Sequence, residues 1–112
     1  MTDGYNRRCA VSGERTLPIL DAAHIRSYAA GGEHSVANGL LLRTDIHKLF
    51  DRGYVTVTKQ RKFAVSERLK ADFDNGAHYY AMQGQEIANP RRGFAPPADE
   101  ALRWHRENRY LG

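Results

Sequence analysis

The chain has 112 residues, with 17 Lys or Arg against 13 Asp or Glu, for a formal charge of +4 and an isoelectric point near 9.5. That length supports one modest core rather than two, and the basic balance suits either a polyanionic partner or a merely soluble basic surface, which charge alone does not separate. A single cysteine excludes an internal disulfide and a cysteine-rich zinc site; no apolar run approaches the ~20 residues of a bilayer span, and MTDGYNRRC lacks the apolar core of a signal peptide, so a cytoplasmic protein without a membrane partner is expected.

Residues 1–8 are polar, offer no apolar face to bury and read as the tail of a preceding segment. Cys9 is expected to be a small buried hydrophobe. Thr16 to Ile25, TLPILDAAHI, is predicted as a short strand entered through Pro18, with Leu20, Ala22 and His24 on one face and Asp21 and Ala23 on the other. The Gly31-Gly32 pair marks a flexible connection. Asn38-Gly39 is a turn signal, and the following LLL predicts a second strand.

Thr44 is predicted to cap a helix with Asp45 in its first turn, and Gly53 to end it. On this helix Ile46, Leu49 and Phe50 form the core-facing stripe. His47 and Asp51, spaced i, i+4, share an adjacent stripe and can reach one cation together; alone, they would equally be a surface ion pair of little energetic consequence. Lys48 and Arg52 form a third stripe, suited to phosphates.

Downstream, YVTVT, KQRK and FAVS predict a β-hairpin whose tip carries Lys59, Arg61 and Lys62. Such a tip fits a nucleic-acid backbone or, as readily, a solvated edge whose charges block aggregation. SERLKADF predicts a serine-capped helix, NGAHYYAMQG a second short one, and ANPRRGFAPP a linker. In the terminal helix, ADEALRWHRENRYL, a stripe of Ala101, Trp104, His105, Asn108 and Leu111 is expected to dock on the domain with Trp104 as anchor. His78 and His105 read as packing or capping residues.

Three residues between Asp21 and Gly53 carry the chemistry: His24, Asn38 and His47, with thirteen residues between the first two and eight between the last two. Phosphodiester hydrolysis needs a base for the water and a cation at the leaving oxygen, because both reacting groups are rich in negative charge. Neutral imidazole serves as base or as metal ligand near pH 7, so two histidines fit the two tasks, and an asparagine can fix an imidazole's orientation. An isolated histidine in an apolar strand would be a satisfied core residue; the spacing to Asn38 and His47 favours the functional role for His24. Arg26, leaving the strand beside it, is either a phosphate contact or a solvated arginine.

The order H-N-H resembles the motif of the HNH, or ββα-metal, nucleases. The words CAVSG, DAAHI, NGLLLRTDIHKLFDRGYVTV, YYAMQGQ and LRWHRE together resemble the HNH domain of a family of predicted restriction endonucleases, in several of which it follows a reader of modified DNA. The resemblance implies an α+β fold: a ββα-metal core over about 16–53, an added hairpin over 54–66 and a C-terminal helical part over 67–112, in one domain that usually ends a longer protein. It implies a metal-dependent DNA endonuclease leaving 5′-phosphate and 3′-hydroxyl ends, the alternative being a nucleic-acid-binding module of the same fold that has lost catalysis. Carried over residue by residue, it makes His24 the general base, Asn38 the residue that orients the active-site loop and His47 a metal ligand.

The chain departs from the commonest pattern at Ala23, where many relatives put a metal-binding Asp or His. Asp51, one helical turn after His47, occupies a ligand position of the colicin-type nucleases, and Asp21 is a further candidate, directly or through water. The implied cofactor is one divalent ion, Mg²⁺ first, with Mn²⁺, Ni²⁺ or Zn²⁺ as alternatives. No structural zinc is expected: CAVSG resembles half of a zinc knuckle with Ser12 in place of the second cysteine, and Arg43 and Ile46 stand where the other half would lie. DNA is the expected partner, contacted by Arg26, Arg43, Lys48, Arg52, Lys59, Arg61 and Lys62; a homodimer and an upstream recognition domain accompany that reading.

Overall fold

The computed structural model describes residues 2–26, 31–32 and 35–112. Its centre is an antiparallel pair, β1 (Leu20–His24) and β2 (Gly39–Arg43), followed without a break by helix α1 (Thr44–Asp51). The register sets Ala23 opposite Leu40 and His24 opposite Gly39. A second antiparallel hairpin, β3 (Val55–Val57) and β4 (Phe63–Val65), precedes α2 (Glu67–Phe73), the short α3 (Ala77–Tyr80) and α4 (Asp99–Asn108).

A run of three leucines in β2 does not alternate between core and solvent, and Leu40, Leu41 and Leu42 are all buried, as expected of a strand covered on both faces. Ile46 and Phe50 of α1 join them, with Val55 and Val57 of β3, Phe63 of β4 and Leu102 of α4. The core stripe expected of α1 is therefore present, with Leu49 partly buried at its edge.

Local structure differs from expectation at four points. Leu17–Ile19 forms a 3₁₀ turn with Pro18 near its start, so the strand begins at Leu20 rather than Thr16; a fixed proline φ and a missing N–H suit a first turn better than a ladder. Thr44 is the first residue of α1 and not its cap, which is Arg43; the Thr44 hydroxyl donates instead to the Ile19 carbonyl at 3.1 Å, tying the helix to the turn before β1. The first residues are not a bare tail, since Tyr5 is 4% exposed within the core and burial pushes its hydroxyl up to about 12. Trp104 is only partly buried, and α4 docks through Ala101, Leu102 and His105.

The turn at Cys9 holds its shape through hydrogen bonds. The Cys9 N–H donates to the Glu14 carbonyl, and the Gly13 N–H to the Cys9 carbonyl. The buried Cys9 sulfur accepts from the N–H groups of Ser12 and Arg43, at 3.4 and 3.3 Å. The Arg43 main chain thus reaches Cys9 at the place where the second half of a zinc knuckle would stand, and weak N–H···S bonds join the two segments there.

Candidate active site

The antiparallel pairing of β1 with β2 puts His24 at the end of one strand and Asn38 just before the other, while α1 leads directly out of β2 and carries His47 one turn in. The Asn38 amide closes a two-point clamp on the chain following His24. Its oxygen accepts from the Arg26 N–H and its nitrogen donates to the Arg26 carbonyl, both at 2.9 Å, and the Ile25 N–H donates to the Asn38 carbonyl. A side chain that pairs with both the N–H and the C=O of one residue acts as a local strand extension, so Asn38 fixes the direction in which the chain leaves His24. Gly32 lies against this clamp, where a Cβ would overlap the Arg26 carbonyl oxygen. The remainder of the connection that the Gly31-Gly32 pair was expected to loosen lies outside the described residues.

His47 stands between two carboxylates. Its Nε2 is 3.1 Å from an oxygen of Asp51, one turn further along α1, and its Nδ1 is 2.9 Å from an oxygen of Asp21 on β1. The Asp51 bond, supported by Asp21 and opposed by partial burial, pushes His47 up to about 9, so the ring is an imidazolium at neutral pH. The i, i+4 pairing read from the sequence is thus present, and Asp21 sits on the opposite ring nitrogen. Ala23, at the position of a frequent ligand, is fully buried.

His24, Ala22, His47 and Asp51 line one open cleft of about 330 Å³, and two residues of the C-terminal segment, His105 and Arg109, complete it. His105 resembles His47 only in kind. It is 1% exposed, stacks on Phe50 with ring centroids 3.6 Å apart, and is bonded through Nδ1 to the Thr56 hydroxyl and through Nε2 to the Phe50 carbonyl, both at 2.7 Å. Burial pushes it down to about 4. It packs, as expected, and its ring supports the helix that carries His47 and Asp51.

The expected DNA-contacting cations separate into two sets. Lys48, Arg52, Lys59 and Lys62 are exposed, and Arg26 lies over the Trp104 ring, 5.6 Å from its centroid. Arg43 and Arg61 are instead engaged within the fold. Arg43 grips Asp45 with two bonds, at 2.6 and 2.9 Å, and meets His78 at 2.7 Å; Tyr79 donates to the same Asp45. Burial alone would raise Asp45, but the bonds from Arg43 and Tyr79 outweigh it and hold the carboxyl at about 2. Arg61, at the hairpin tip, bonds the Pro97 carbonyl and pairs with Asp99 at the start of α4. The tip's alternation and charge were legible in the sequence, whereas the return of the distant linker onto it was not. Arg109 had no local motif to mark it.

β1, β2 and α1 form a ββα element that carries His24, Asn38 and His47 in this order, with His24 and His47 in one cleft. Residues 9–58 match the model of the HNH endonuclease family. The fold is similar to that of a modification-dependent TagI restriction endonuclease, with a TM-score of 0.66 and 23% identity over 99% of the chain; the chain spans 36% of the length of that protein. No curated protein matches it. Nucleases of the HNH family generally use a divalent metal ion. Among the described residues no group of three or more His, Cys, Asp or Glu is arranged to hold one, but the two donors that share the cleft, the His47 Nε2 and the Asp51 carboxylate, suit an ion that keeps most of its waters and completes its shell with phosphate oxygens, as Mg²⁺ does.

Proposed function

We propose that this chain is the cleavage domain of a metal-dependent DNA endonuclease of restriction type, with His24 as general base and His47 with Asp51 as the metal-holding pair. The observation that carries the proposal is the single cleft lined by His24, His47 and Asp51, which brings a base and a metal-holding pair to one substrate. His24 takes a proton from the attacking water as the new oxygen–phosphorus bond forms, and the bond from phosphorus to the 3′ oxygen breaks, the departing oxygen taking a proton from solvent, so that 5′-phosphate and 3′-hydroxyl ends are left. Asn38 keeps the base in line by holding the backbone beyond it. A divalent ion, Mg²⁺ first, supplies Lewis acidity at the leaving oxygen. To hold it, His47 gives up its Nε2 proton.

Asp21 then has a different part from Asp51. A carboxylate on the ring nitrogen away from the metal fixes the tautomer and orientation of a ligating histidine and raises its basicity. We therefore assign Asp21 to orientation of His47 rather than to direct ligation. Arg26, Lys48, Arg52, Lys59 and Lys62 are the cations we assign to DNA phosphates.

Site selection belongs, in this reading, to a further part of a longer protein. Its support is that the chain corresponds to 36% of a protein that is itself modification-dependent; dimerisation of the full protein and a cytoplasmic location go with the same proposal. Incubation with supercoiled plasmid and Mg²⁺, Mn²⁺ or Ni²⁺, against an EDTA control, tests the cleavage reading. Metal-dependent nicking or linearisation is expected. The sparse set of metal donors among the described residues supports a second reading, a DNA-binding module without catalysis, and retained binding without any cleavage in all three metals would select it.

A further inference from the structure

The nuclease cleft is closed on one side by residues well outside the ββα element. Arg109 follows the last residue of α4 and lines the same cleft as His24, His47 and Asp51. Its place there is enforced from two directions. The guanidinium lies over the Trp104 ring, 5.6 Å from the centroid, a contact that retains the cation while limiting its freedom. The backbone is fastened to the end of α1: the Leu111 N–H donates to the Gly53 carbonyl at 2.9 Å, and the Arg109 carbonyl packs so closely on Gly53 that a Cβ there would overlap it. Gly53, at φ +84°, thus both ends the metal-bearing helix and receives the segment that carries Arg109.

An arginine in the cleft that holds His24, His47 and Asp51, with Asp21 on the far side of the His47 ring, has a clear electrostatic use. Asp21 and Asp51 repel a phosphodiester, and a planar cation with several N–H donors offsets that repulsion while binding phosphate oxygens in pairs. We propose that Arg109 binds a phosphate of the DNA strand being cut, at or next to the scissile position, so that the C-terminal helix supplies a substrate-binding cation to the HNH site. The proposal rests on the nuclease reading above and makes α4 part of the active site rather than an appended support.

The test uses the 112-residue chain and a DNA duplex. In EDTA, where cleavage does not intervene, Arg109→Ala should lower the slope of log affinity against log salt by about 0.9, the value for one phosphate contact on duplex DNA. With metal added, the same variant should lose cleavage by tenfold or more while Arg109→Lys, which keeps the charge, recovers part of it. Arg103→Ala, on the exposed side of α4 and paired with Glu107, should leave slope and rate unchanged, and circular dichroism melting of each variant separates lost binding from lost folding. Wild-type slope and wild-type rate in a folded Arg109→Ala protein would overturn the proposal. A wild-type chain that cuts no plasmid would overturn the nuclease reading alone, since the salt slope still decides whether Arg109 meets a phosphate.

Discussion

Two histidines line the same cleft and are driven in opposite directions. His47, on α1, is pushed up to about 9 by Asp51 and Asp21; His105, on α4, is pushed down to about 4 by burial. The difference follows from what replaces water around each ring. His47 exchanges water for carboxylates, which favour the charged form, while His105 exchanges it for Phe50 and two hydrogen bonds that a neutral ring can satisfy. One residue type therefore gives the cleft a charged centre and a neutral wall. His24, exposed in the same cleft, is the third case.

If that division is right, the three histidines should fail differently when removed. His24→Ala should reduce cleavage by ~10²–10⁴-fold, the usual contribution of a general base, while calorimetric metal affinity stays near wild type. Loss of metal affinity in this variant would make His24 a ligand. His47→Ala should remove both metal binding and cleavage, and Asp51→Ala should weaken both in the same direction. Asp21→Asn should act more mildly, lowering metal affinity by ~10–100-fold, as removal of an outer-shell partner does. A wild-type rate for Asp51→Ala at limiting metal, with Asp21→Asn inactive, would exchange the roles of the two carboxylates.

His105 should register in stability. Truncation to Ala deletes a buried ring and leaves the Phe50 carbonyl and the Thr56 hydroxyl without their partner, each a recognised source of large destabilisation; a loss of about 2–5 kcal/mol by denaturant unfolding is expected. The wild-type protein should show the same residue through acid. A histidine depressed from 6.5 to about 4 is neutral when folded but takes up a proton when unfolded, so its contribution to stability is complete above pH 6.5 and declines as pH falls from 6.5 toward 4. At most on the order of 3 kcal/mol is involved. A protein whose stability did not change over that interval, or fell with rising pH, would contradict the buried neutral ring.

How much of this was legible in the sequence depends on whether the determinant was local. The ββα core was, because alternation in β1, the leucine run of β2 and the i, i+4 spacing of His47 and Asp51 are each written within a dozen residues. The hairpin and the Ser66 cap, whose side chain accepts from the Arg68 N–H, were equally local. Features made by distant segments were not. Arg61 reads as a solvated hairpin cation until the linker returns Pro97 and Asp99 to it. Trp104 reads as the anchor of α4 because it is the largest apolar residue on the helix, yet it sits at the edge between Arg26 and Arg109 while Leu102 and His105 enter the core. Tyr5 is buried although its neighbours in sequence are polar. The Asp21 to His47 bond spans 26 residues and depends on strand register.

The smallest expected effect concerns charge on the rim of the cleft rather than within it. Lys48 on α1 and Arg52 just after its end are exposed, one position from His47 and from Asp51 respectively, and neither is in an array shaped to read base edges. Contacts from such side chains go to phosphates, which position a duplex without reading its sequence. Lys48→Ala and Arg52→Ala should therefore each flatten the dependence of log affinity on log salt by up to ~0.9 and leave the ranking of different duplexes unchanged. Cleavage at saturating DNA should remain near wild type, in contrast to the histidine and carboxylate variants, because a contact made equally in the ground and transition states affects binding and not the chemical step. A preference of the 112-residue chain for one duplex over a scrambled one by ~100-fold or more, within the range of specific DNA readers, would show that sequence is read inside this domain and would remove the need for recognition elsewhere.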